Sequence, residues 1–122
     1  MPVSAVDRPS ASSLGSVEQT IDLQHLARMT LGERSLEREV LGLFERQAEM
    51  LLPRIRAGGP AVAAAFAHTL KGSALGIGAW RLARAAEAVE QAKDAELAAA
   101  VDALGTAIAE LKLEIARLLR AN

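Results

Sequence analysis

Residues 94–120 read DAELAAAVDALGTAIAELKLEIARLLR. Leu97, Val101, Leu104, Ile108, Leu111, Ile115 and Leu118 recur there in alternating steps of four and three. That pattern is the apolar seam of a helix packed nearly antiparallel in a bundle. Asp94 stands where a capping residue would start the helix. One apolar stripe on so long a helix needs other helices to cover it.

The chain upstream supplies them. Residues 79–92 predict a shorter helix with Leu82, Ala86 and Val89 on one side. Another is expected over residues 60–75, with Pro60 in its first turn and the GIG of residues 76–78 interrupting it. A longer amphipathic segment, Glu33 to Ala57, carries Leu36, Val40, Leu43, Phe44, Leu51 and Ile55 close to the 3.6-residue period. Pro53 predicts a kink or a late break in it, and AGGP at 57–60 ends it. IDLQHLARM, residues 21–29, reads as a short helix with Asp22 as cap and Leu23, Leu26 and Ala27 turned inward. Residues 1–20 carry Ser, Pro and Gly without periodicity and read as a flexible tail. The expected architecture is all-α: a four-helix bundle over residues 21–122, with a short additional N-terminal helix and a flexible N-terminal tail.

Composition agrees. Aromatic residues make up 2% of the 122-residue chain, while Ala, Leu, Glu and Arg, all strong helix formers, dominate it. No alternating run of β-branched residues predicts a strand. Without cysteine the chain has neither disulfides nor zinc–thiolate sites. A net charge of −1 gives no general attraction to nucleic acid or anionic membrane. No apolar run approaches the roughly 18 residues of a membrane span, and no secretory signal is visible. A soluble cytoplasmic protein is the expectation.

Within the 60–75 helix, FAHTLKGSALGIG (residues 66–78) places His68, Lys71 and Gly72 together. At about 100° per residue, Val62, Phe66, Leu70, Ser73 and Ile77 share one sector, the expected core face. His68 and Lys71 both lie roughly 150° from its centre and should face solvent. Neighbours three and four residues from His68 are Ala64, Ala65, Lys71 and Gly72. The imidazole therefore stands in a clearing beside one cation. Glycine inside a helix costs about 1 kcal/mol relative to alanine, so Gly72 needs a reason. Either a neighbouring helix comes close, or a partner must approach the ring. Leu75 adds an apolar contact to the same outward face.

A lone exposed imidazole limits the chemistry. Metal binding needs further ligands at suitable spacing, and His25 is alone on another helix. A triad needs a nucleophile and an orienting acid, and neither is evident. Attack by the ring itself needs only an uncharged imidazole and a clear approach. The Lys71 cation is expected to favour the uncharged ring and then to meet the negative charge of a phosphoryl group. Two other patterns fall away. GIGAWR lacks the third glycine and the strand of a dinucleotide loop, and KGS lacks the upstream glycine of a Walker A motif.

The stretch AHTLKGSALGIGAWRLARAAEAVE, residues 67–90, resembles the signature of histidine-containing phosphotransfer (HPt) domains. The matching residues are His68, Leu70, Lys71, Gly72, Ser73 and Gly78. EVLGLFERQAEMLLPRI, residues 39–55, is similar to the family's preceding helix, and the resemblance extends over about residues 21–120. It implies a bundle that carries phosphate between aspartates of receiver domains, or from a sensor or hybrid histidine kinase to a receiver. By that resemblance His68 is the phosphoacceptor through Nε2, Lys71 assists electrostatically and Gly72 keeps the approach open. This chain would bind no cofactor or metal of its own, and Mg²⁺ would come with the receiver domain. Some members place a Gln twenty-two residues after the His to orient the site. Glu90 stands there in this chain, with Gln91 next to it, so no orienting residue is assigned. Glu87 and Glu90 read as an exposed acidic face, and Trp80 as a packing residue near the turn.

The partner surface expected around His68 comprises Ala64, Ala65, Leu75, Arg81 and Arg84. The two arginines are either solvated helix charges or guides for an acidic receiver face. Two rival functions share the fold. One is the dimerisation and phosphoacceptor module of a sensor kinase, although such modules place an acid immediately after the His, where Thr69 stands here. The other is a helical adaptor in which His68 does no chemistry. A monomer is expected under the phosphotransfer reading, and an obligate dimer under the first rival.

Overall fold

The computed structural model describes residues 19–120. They form five helices: α1 Leu23–Met29, α2 Arg34–Ala57, α3 Pro60–Ile77, α4 Trp80–Gln91 and α5 Asp94–Arg120. Helices α2 to α5 make the four-helix bundle, and no strand occurs among the described residues. Each long helix packs on the next, and α5 returns to α2 to close the ring. Two-residue connections (Gly58–Gly59, Gly78–Ala79, Ala92–Lys93) force neighbouring helices to run antiparallel. The tail expected over residues 1–20 lies almost wholly outside the described residues.

The α5 seam is buried as its spacing requires. Val101, Leu104, Ile108, Leu111 and Ile115 are in the core, with Leu97 and Leu118 packed at its ends. Its start differs by one residue from the expectation. Asp94 lies within the first helical turn, and Glu96 provides the capping: its Oε1 accepts from the Lys93 backbone N–H (3.1 Å).

On α2 the buried residues are Leu41, Phe44, Ala48, Leu51 and Ile55, whereas Leu36 and Leu43 are exposed and Val40 is only half-buried. Small Ala48 takes a core position that a hydrophobicity count overlooks. Of the kink or late break expected at Pro53, the break does not occur: the helix runs on to Ala57. Leu51 and Ile55, buried on either side of the exposed proline, hold the last turns in place, and packing outweighs one missing hydrogen bond.

Helix α3 extends two residues beyond the expected end and stops at Gly78. There the backbone turns left-handed (φ 80°). The Ala79 N–H donates to Ala74 O (2.9 Å) and the Gly78 N–H to Leu75 O (3.2 Å), closing the helix in a Schellman motif. A Cβ at Gly78 would stand 3.0 Å from Asp22 O. Glycine is required both for the conformation and for the approach of α1.

That approach fixes α1. The Asp22 N–H donates to Gly78 O (2.9 Å), Asp22 Oδ1 accepts from the His25 backbone N–H (3.1 Å) and Oδ2 from the Trp80 indole (3.1 Å). His25 and Trp80 meet edge to face, 4.9 Å between centroids. Trp80 is thus a packing residue at the turn. Leu26 is buried as expected, but Leu23 is exposed and Ala27 half-buried. So short a helix inserts a single apolar residue.

Candidate functional site

The α3 core stripe consists of Ala63, Ala67, Leu70, Ala74 and Ile77. It is rotated by about 60° on the helical wheel from the expected stripe. Val62 is exposed, and Phe66 and Ser73 lie at the flank. The cause is alanine. Ala63, Ala67 and Ala74 on α3 are buried, as are Ala83 and Ala86 on α4, the helix that α3 packs against, and such small side chains let the two helices pack closely. The rotation decides where the polar residues go. His68 still points outward, its side chain 67% exposed. Lys71 does not point to open solvent as expected: it comes to the edge of α4, with its side chain only 24% exposed.

The α3–α4 hairpin then sets the register. His68 precedes Gly78 by ten residues, and Glu90 follows Ala79 by eleven. At 1.5 Å per residue both stand about 15 Å from the turn, side by side on antiparallel helices. Glu90 Oε2 lies 2.7 Å from His68 Nδ1, and Oε1 lies 3.2 Å from Lys71 Nζ. One carboxylate bridges the imidazole and the ammonium. Glu90 is therefore not part of a merely exposed acidic face: its side chain is 26% exposed and belongs to the site. Glu87, one turn away, accepts from Gln91 (3.2 Å).

Burial pushes the Glu90 carboxyl up, but the hydrogen bond from His68 and the Lys71 ammonium outweigh it and hold it below its ordinary 4.5. The group is ionised at neutral pH and can only accept hydrogen bonds. Nδ1 must therefore carry the proton, and in the neutral ring the lone pair sits on Nε2. Lys71 is not an unopposed cation beside the ring, because Glu90 Oε1 pairs with it.

Around the ring, Gly72 is exposed, and beyond its chain neighbours and the backbone of its own helical turns no atom lies within 4 Å of where its Cβ would be. No neighbouring helix needs glycine there, which removes one of the two reasons considered for it. Ala65 is exposed and Ala64 half-buried. Toward α4, a shallow groove of about 370 Å³ is lined by Lys71, Leu75, Trp80, Ala83, Arg84 and Glu87. Arg81 turns away from it and pairs with Glu110 of α5 (3.1 Å). Toward α2, an apolar groove reaches Ser73 and Gly76 and includes the exposed Leu43 and Met50. The sequence reading leaves Met50 out and places Leu43 in the apolar stripe of α2; their exposure becomes visible only once Leu41 and Ala48 are seen to fill the core. No three His, Cys, Asp or Glu side chains stand together as a metal site among the described residues.

A family model described as Hpt domain matches residues 39–121. The chain belongs to the Hpt family. Among solved structures, the histidine phosphotransferase ShpA from Caulobacter crescentus is similar, with 28% sequence identity and a TM-score of 0.69. The likeness covers 84% of this chain and 93% of that one. Comparison with curated proteins finds no match. The Hpt assignment makes phosphotransfer the function class, and Hpt domains in phosphorelays interact with receiver domains and kinases. Among the described residues no helix of this Hpt domain is long and apolar enough to cross a membrane.

Proposed function

We propose that this Hpt domain is a phosphocarrier that accepts a phosphoryl group on Nε2 of His68 and exchanges it with an aspartate of a response-regulator receiver domain. The observation that carries the reading is the 2.7 Å contact of Glu90 with Nδ1 on a ring whose other side is open. It leaves the Nε2 lone pair directed outward and fixes the ring for attack. Nε2 attacks phosphorus of the aspartyl phosphate, the N–P bond forms, and the P–O bond breaks with its electron pair going to the leaving carboxylate. Lys71 stands close enough to meet the transferred charge, and Gly72 with Ala65 leaves room for the receiver's acidic site. The receiver brings Mg²⁺. A sensor or hybrid kinase would be the ultimate source of phosphate.

The docking rim would comprise Ala64, Ala65, Leu75 and Arg84 around the ring, with Arg81 further round α4. Leu43 and Met50 would extend it toward α2, since their groove continues along α3 past Gly76 and Ser73. The domain would begin at Ile21, which is buried with the α1 cap although the family match starts within α2. Cytoplasmic residence follows from the reading, since receiver domains and their kinase cores work there.

The test is phosphotransfer from a panel of phosphorylated receiver domains to the wild type and to His68→Gln. An acid-labile, alkali-stable label on the wild type alone is the expected result, and label on both proteins would move the acceptor elsewhere. The carrier should be a monomer by light scattering, and an obligate dimer would favour a sensor-kinase module instead.

A further inference from the structure

The chain holds no cysteine and three methionines, so its sulfur chemistry is that of thioethers alone. The two described methionines are Met29 at the end of α1 and Met50 on α2. Methionine ranks among the commonly buried residues, yet these two are 58% and 54% exposed and neither belongs to the core. Both line one groove of about 770 Å³, shared with Val40, Leu43 and Ile77, that follows α3 past Ser73 and Gly76. Positions 21 residues apart in the chain thus bring two accessible thioethers to one apolar surface on the helix that carries His68.

Resting on the phosphocarrier reading, in which this groove belongs to the docking rim, we propose that Met29 and Met50 are oxidation sites, and that their conversion to sulfoxides by a peroxide weakens docking of the receiver domain while leaving His68 reactive.

The thioether sulfur attacks one peroxide oxygen with its lone pair, the O–O bond breaks and the S–O bond forms. Sulfur is oxidised, and the peroxide is reduced and leaves as water. A methionine sulfoxide reductase, with a dithiol as reductant, returns the thioether and yields water and a disulfide. Oxidation turns a polarisable apolar side chain into a polar one. A receiver face that covers the groove would strip water from the sulfoxide oxygens without pairing them, which burial penalises. In the free domain those oxygens remain in water. Arg46 and Arg54, four residues either side of Met50, offer N–H donors to the one on α2. His68 is held from the opposite side, by Glu90 of α4, so the change does not reach its ring.

The experiment uses the full chain as wild type, Met29→Leu/Met50→Leu and His68→Gln, each before and after treatment with hydrogen peroxide. Leucine is close in volume and has no sulfur, and Met1 remains in every protein as a bystander thioether. Peptide mass spectrometry locates the added oxygen. Two rates are read for each protein against its own untreated form: labelling by phosphoramidate, which needs no receiver, and transfer from phosphorylated receiver domains below saturation. Oxidised wild type is expected to carry oxygen on Met29 and Met50, to lose about tenfold in receiver transfer and to keep phosphoramidate labelling within about twofold. Reductase and dithiol should restore the transfer. The double variant should change by less than about twofold in both rates. Absence of oxygen on Met29 and Met50, undiminished transfer once both carry it, or an equal loss in the double variant would overturn the inference. A loss shared by phosphoramidate labelling, or explained by a lowered melting temperature, would overturn it as well. No receiver transfer to untreated wild type, or equal label on His68→Gln, would remove the phosphocarrier reading and this inference with it.

Discussion

At the scale of single residues, the proposed site is one exposed imidazole with a carboxylate at its Nδ1. The two oxygens of Glu90 have different partners, His68 and Lys71, on the neighbouring helix. Its carboxyl titrates below the ordinary 4.5, so the bridge is complete above that value and is lost as pH falls through the lower folded one. A ¹³C-detected titration should therefore show the Glu90 carboxyl turning over below pH 4.5, and turnover at or above it would mean that the bridge is not made in solution. Lys71→Ala should keep the His68–Glu90 contact yet slow phosphotransfer by about tenfold, the rate equivalent of about 1.4 kcal/mol of lost charge stabilisation, as measured with a phosphorylated receiver. His68, Lys71, Gly72 and Gly78 were all legible in the sequence by their spacing. The role of Glu90 was not, although its twenty-two-residue separation from His68 was visible, because that spacing becomes a contact only through the hairpin.

At the scale of elements, the α3–α4 hairpin is the working part. Its turn is held by Gly78 in a left-handed conformation, and the same glycine receives α1 through Asp22. Gly78→Ala should cost about 1–2 kcal/mol from the backbone conformation alone. Crowding adds to it, since the new Cβ would stand 3.0 Å from Asp22 O. Urea denaturation would measure the loss, and increased amide exchange in α1 would show that the short helix loosens first. Pro53 marks where reading elements locally misleads. A proline inside a helix predicts a break on its own terms, but two buried neighbours on the same helix keep α2 intact.

At the scale of the whole molecule, the core is built from long apolar residues on α5 and α2 and from alanines between α3 and α4. The alanine seam links stability to function, because it sets how near Glu90 comes to His68. Ala67, fully buried, tests this. Ala67→Leu should destabilise the protein by about 1–3 kcal/mol through overpacking. It should also slow transfer by separating the two helices, whereas a transfer rate unchanged at full occupancy of the fold would show that the Glu90 contact is dispensable. Leu104→Ala, at the centre of the α5 seam, should cost about 2–5 kcal/mol in the same denaturation assay and leave the transfer rate of the folded fraction unchanged.

The α5 seam, the helix count and the outward histidine followed from the sequence itself, because periodicity over 27 residues and short glycine-marked turns are local properties of the chain. The rotation of α3, the turning of Lys71 toward α4 and the bridging Glu90 depended on tertiary structure. Alanine carries too little hydrophobic signal to reveal which face of α3 is buried, and only the packing of α4 against that face decides it.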